Sequence, residues 1–191
     1  MRIDKRLNFI FPIDVEGAQW WVHSAPASRI VFETYFAALG RVFTDCFAGN
    51  DPKHVALAGP QLALPALKAA AKEAGTWDGP GGIEQGLVNE LIRLTTVAFP
   101  GANGWEQLPL STCIARDLLD DDTEGEIVSA LVFFTAVSRA APKALASTFL
   151  QAAGTLMDWR FSSSGFMEFL SSLPISKPSE TTPTIPQSVL A

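Results

Sequence analysis

Residues 120–131, DDDTEGEIVSAL, place Asp120, Asp122, Glu124 and Gly125 at the first, third, fifth and sixth positions of a calcium-loop pattern. Such a loop needs oxygen ligands at alternating positions, a glycine at the sharp turn and a bidentate carboxylate at position twelve. Position twelve is Leu131, so the ligand set is incomplete. The acids directly precede a long apolar run, where the positive end of a helix dipole favours carboxylates with no metal present.

The other candidates for chemistry fail in similar ways. Residues 77–86, WDGPGGIEQG, form a glycine-rich stretch ahead of a helix, the setting in which backbone N–H groups cradle phosphate. The Lys-Ser/Thr pair of a Walker loop is missing, and Asp78 and Glu84 would repel an anion, so a turn between helices is expected. Residues 161–166, FSSSGF, lack the glycine two positions before the central serine that a nucleophile elbow requires. His23 and His54 are the two histidines, one on a strand-like segment and one near a helix start. Cys46 falls on an apolar helical stripe, and Cys113 stands far from it without a C-x-x-C partner. These residues predict no enzyme, no cofactor and no bound metal.

Composition narrows the function further. The 191 residues are 48% hydrophobic and 18% charged, with a net charge of −6 and no basic stripe, which argues against a nucleic-acid partner. The uncharged stretches 55–67 and 144–157 fall short of the about 20 residues of a membrane span, so no membrane partner is expected. With no secretory signal read at the N-terminus, two reduced thiols in a cytoplasmic protein are expected.

The elements that would position these residues begin with LNFIFPIDVEGAQWWVHSAP, residues 7–26. Phe9, Phe11, Ile13 and Val15 alternate to one face, Glu16-Gly17 offers a turn, and Ala18, Trp20 and Val22 continue on that face. This predicts a hairpin over 7–24 in which Val15 faces Ala18, Ile13 faces Trp20, Pro12 faces Trp21 and Phe11 faces Val22. Pro12 blunts the outer edge of the first strand, while the outer edge of the second, at Gln19, Trp21 and His23, is left open.

Helical periodicity follows over 27–173. Ser28 caps a helix carrying Phe32, Tyr35, Phe36, Leu39, Phe43, Cys46 and Phe47, onto which the first face of the hairpin is expected to pack. Asp51-Pro52 opens a second helix that Gly59-Pro60 should interrupt before it resumes to Gly75. A third carries Ile83, Leu87, Leu91 and Leu94 and is ended by Pro100-Gly101, and a long loop through Trp105 leads to a short helix over 109–118. The helix over 124–139 is apolar nearly all round and belongs at the centre of the core. Helices over 142–159 and 165–173 complete a mainly α domain, residues 1–173, of about six to seven helices. The Pro/Ser/Thr-rich segment 174–191 reads as a disordered tail.

Trp20 and Trp21 point to opposite faces of one ribbon, so one core cannot hold both. The second needs another subunit, a client or a folded-back helix. Gln19, Trp21 and His23 are therefore the expected protein-binding residues, on a self-association or client surface.

This order of elements resembles the tail assembly chaperones of long-tailed bacteriophages and prophages. The resemblance is carried by the aromatic hairpin, the helix SRIVFETYF, the segment AGPQLALPALKAAAKEAGTWDGPGGIEQGL, a helical second half and a short Pro/Thr tail, over residues 7–173. It implies a non-enzymatic assembly factor in the host cytoplasm that binds tape measure and tail tube proteins. It also implies, in many members, a longer frameshifted form, while the open hairpin edge is the surface through which a homo-oligomer would form. A structural neck or minor tail protein is the alternative, and a small-ligand-binding helical protein is the next.

Overall fold

The ribbon forms its hairpin in the expected register. Strand β2 (Phe9–Val15) pairs with β3 (Ala18–Ser24), with Val15 opposite Ala18, Ile13 opposite Trp20, Pro12 opposite Trp21 and Phe11 opposite Val22. Glu16 (φ 52°) and Gly17 (φ 80°) both adopt left-handed backbone, as a type I′ turn requires. Asp14 Oδ1 accepts the Gly17 N–H at 3.0 Å and closes the turn. The computed structural model describes residues 1–4, 6–47, 52–102, 104–139, 146–156 and 158–173. The segment 174–191, expected to be a disordered tail, lies outside them.

The hairpin is the middle of something larger. Strand β1 (Arg2–Ile3) pairs antiparallel with β2, and β6 (Arg160–Phe161) runs parallel to β1 on the outer side. On the other edge β4 (Thr95–Gly101) pairs with β3, and β5 (Gly104–Pro109) pairs with β4. The result is a six-stranded mixed sheet in the order β5-β4-β3-β2-β1-β6. With 21% of the chain in strands beside 54% in helices, the fold is α/β, and the mainly α expectation is corrected. The long loop expected through Trp105 is in fact the β4–β5 hairpin.

Helices cover both faces of this sheet unequally. Helix α6 (Asp121–Ser138) is buried from Ile127 to Ser138 and is central, as its all-round apolar sequence requires. Its N-cap is Asp120, whose carboxylate accepts the Thr123 N–H at 2.7 Å. Phe134 faces the sheet, stacked on Phe9 at 4.4 Å, while Phe133 faces away toward α3 (Pro52–Glu73) and α2 (Phe36–Phe47). The first face of the hairpin therefore packs on α6 instead of on the helix of residues 32–47. Trp20 lies on this face against Phe99 of β4, with ring centroids 4.8 Å apart.

Helix α3 continues through both Pro60 and Pro65, so the expected interruption at Gly59-Pro60 does not occur. Short helix α1 (Arg29–Thr34) leads into α2 through Tyr35. A π-helical turn at Glu84–Val88 runs into α4 (Asn89–Arg93), and α5 (Leu110–Ala115) follows β5. After α7 (Ala146–Leu156), α8 (Phe166–Ser171) crosses to the opposite face of the sheet. There Phe166, Phe169 and Leu170 bury Ile10, Trp21 and Ala98 in a second, smaller core.

Candidate functional site

The three residues predicted to bind protein lie together on the second face of β3. Trp21 is 9% exposed and meets Phe169 of α8 edge to face, with centroids 4.7 Å apart. His23 stacks on Phe166 at 4.4 Å. Of the three alternatives open to the second tryptophan, the structure supplies the folded-back helix. The edge of β3 is closed as well, because Trp21 to Ser24 pair with Ala98 to Thr95 of β4. An unpaired row of N–H and C=O groups is satisfied here from within the chain, which corrects the open edge read from the ribbon alone. Gln19 remains exposed, beyond the residues that β4 pairs.

His23 sits beside a buried carboxylate. Its Nε2 is 3.8 Å from Asp4 Oδ2, too long for a hydrogen bond. Burial holds the imidazole below its ordinary pKa, and the nearby Asp4 charge acts in the opposite direction. Asp4 is committed elsewhere, accepting the Arg6 N–H at 2.8 Å, the Asn8 N–H at 3.0 Å and Asn8 Nδ2 at 2.9 Å. It ties the β1–β2 connection together and does not present a base to solvent.

The remaining chemical candidates have structural roles. In the 77–86 loop the N–H groups of Gly82, Ile83, Glu84 and Gly86 donate to the carbonyls of Gly79, Thr76, Trp77 and Gly82. A phosphate would have to displace those bonds. Tyr35 clamps the loop, its hydroxyl donating to the Gly81 carbonyl at 3.3 Å. A Cβ on Gly86 would overlap that hydroxyl, so a side chain there would push Tyr35 off the loop. Asp120 is held below the usual carboxylate range by its bond to Thr123. Leu131, at the failed twelfth position, is a core residue. Among the described residues no group of three His, Cys, Asp or Glu side chains could hold a metal ion. Burial pushes the Cys113 thiol up to about 11 and raises Cys46 too, the opposite of nucleophile activation. His54 lies outside the residues whose side chains are described. Among the described residues no helix is long and apolar enough to cross a membrane.

The surface that the sequence reading missed is on α1 and the start of α2. Helix α1 carries Ile30, Val31 and Phe32 in succession yet buries none of its residues. Ile30 is 76% exposed and Phe36 59% exposed, and Phe32 meets Phe36 edge to face at 5.8 Å. Val31 and Phe32 are half-buried against the main core, so the outward apolar face is made by Ile30 and Phe36. The sequence signal was the unbroken triplet Ile30-Val31-Phe32, which exceeds the width of one helix stripe.

Comparison with known proteins finds no family model, no curated protein and no solved structure that matches this chain.

Proposed function

We propose that this chain is a non-enzymatic, protein-binding assembly factor of the tail assembly chaperone kind, acting in the host cytoplasm on tape measure and tail tube proteins. The observation that carries the reading is the pair of outward apolar side chains Ile30 of α1 and Phe36 at the start of α2. Large apolar side chains held in solvent are enriched at surfaces that meet another protein. The partner class comes from the sequence resemblance to such chaperones alone.

The test is co-expression with the tape measure and tail tube proteins of a phage that encodes this chain, followed by co-purification. Covering Ile30 and Phe36 together contributes about 3 kcal/mol. The double variant Ile30→Asp, Phe36→Asp should thus weaken the complex by about 100-fold with helical circular dichroism unchanged. Failure to bind either protein, or equal binding by the folded double variant, would refute the proposal.

A further inference from the structure

The structure carries a second surface, on different helices from the Ile30–Phe36 pair. Between α3 and the first turns of α6 lie two adjoining cavities of about 250 and 460 Å³, which share Leu64, Lys68 and Gly125. Through these shared residues they make one open groove. Its apolar lining comes from Leu64, Trp77, Val88 and Val128.

Two residues along the groove are poor helix formers. Gly125 lies inside α6, where glycine weakens a helix relative to alanine. A Cβ there would meet nothing within 4 Å, so internal packing does not ask for glycine. Its effect is to leave the α6 backbone bare in both cavities. Across from it Pro65 brings no N–H, so the carbonyl of Gln61, another lining residue, lacks its usual helical donor. The groove thus has a stretch of α6 backbone that no side chain covers.

Charge selects the occupant. Among the described residues, Glu84, Asp121, Glu124 and Glu126 line the groove against one cation, Lys68. None of the four is ion-paired with a described residue. The Lys68 ammonium lies 5.5 Å from the centroid of the Trp77 ring, which shows that this lining accommodates a cationic side chain. The acids are not clustered closely enough to hold a metal ion. We infer that the α3–α6 groove docks a basic amphipathic segment of a partner polypeptide, with apolar side chains on Leu64 and Pro65 and lysines or arginines against the acidic rim.

The experiment uses the full chain with two short synthetic amphipathic peptides, one of leucine and lysine and one of leucine and glutamate, measured by titration calorimetry at low and high salt. The lysine peptide should bind, the glutamate peptide should not, and salt should weaken the complex because the rim is open to solvent. Gly125→Leu fills the groove while improving helix propensity, so it should reduce binding by about tenfold or more with Tm unchanged or raised. The pair Glu84→Lys, Glu124→Lys should do the same by charge and decides the matter if Gly125→Leu does not fold. Equal binding of both peptides, no binding of the lysine peptide, or undiminished binding by a folded variant overturns the inference.

Discussion

The hydroxyl oxygen of Ser129 accepts a hydrogen bond from the backbone N–H of Leu64 at 3.0 Å, joining the middle of α6 to the middle of α3. One turn along on each helix, a Cβ on Gly59 would stand 2.5 Å from the Phe133 ring, so the helices approach closely at a glycine. This seam explains how α3 stays helical through Pro60 and Pro65, although an interior proline costs about 3 kcal/mol. Ser129 gives the Leu64 N–H an acceptor within the disturbed stretch. Burial of Ala63, Leu67 and Ala71 provides the compensating packing.

Ser129→Ala should therefore destabilise the protein by about 1 kcal/mol, because a partly buried backbone donor loses its acceptor. Gly59→Ala should cost about 1–3 kcal/mol, through overlap with Phe133. Urea denaturation checks both, and losses below about 0.5 kcal/mol would show the seam to be adaptable.

Both ribbon tryptophans are structural. Trp20→Ser should cost about 3–5 kcal/mol, since it empties a site in the main core beside Phe99. Trp21→Ser should also destabilise, and its partner is α8. A double-mutant cycle of Trp21→Ser with Phe169→Ala should give a coupling of about 0.5–1.5 kcal/mol. A silent Trp21→Ser would place that side chain in solvent and contradict the α8 contact.

At the hairpin turn, Glu16 adopts φ 52°, a conformation that suits asparagine better than glutamate. Glu16→Asn creates the preferred Asn-Gly pair for a type I′ turn. An increase in stability of about 0.5–1 kcal/mol is expected from thermal melting, with no change in the Asp14 bond to Gly17.

Stability should also fall on mild acidification. His23 has its folded-state pKa lowered from 6.5, chiefly by burial, so the folded chain takes up this proton at lower pH than the unfolded chain. The contribution is complete above the unfolded value and is lost as pH drops through 6.5 toward the folded one. Comparing Tm between about pH 7.5 and pH 5.5 should show a steeper fall for the natural protein than for His23→Gln. Equal slopes would assign the titration to another group.

The candidate site was legible only in part. Gln19, Trp21 and His23 could be placed on one face of a strand by alternation alone, and they occupy that face. What covers them could not be read, because α8 lies about 145 residues further along the chain and its few apolar residues announce no destination. Ile30 and Phe36 show the converse. Their helix was visible in the spacing, but whether its apolar side met the sheet depended on which helix reached the sheet, and α6 did.

What the sequence determined by itself is local. The period-two pattern around Glu16-Gly17 is enough to set the β2–β3 register, because a tight turn and one apolar face leave no other pairing that keeps Phe9, Phe11 and Ile13 together. The all-apolar run of α6 likewise predicts a central helix. The β4–β5 hairpin carried its own signals, a β-branched start at Thr95-Thr96-Val97 and an Asn103-Gly104 pair, which lay hidden behind the helical spacing of Leu87, Leu91 and Leu94. Only tertiary structure decided that β4 would close the edge beside Trp21 and that β6 would align with β1. Those pairings join residues more than 70 positions apart, and their hydrogen bonds are between backbone groups that every residue type shares, so the partner is chosen by the packing of the whole chain.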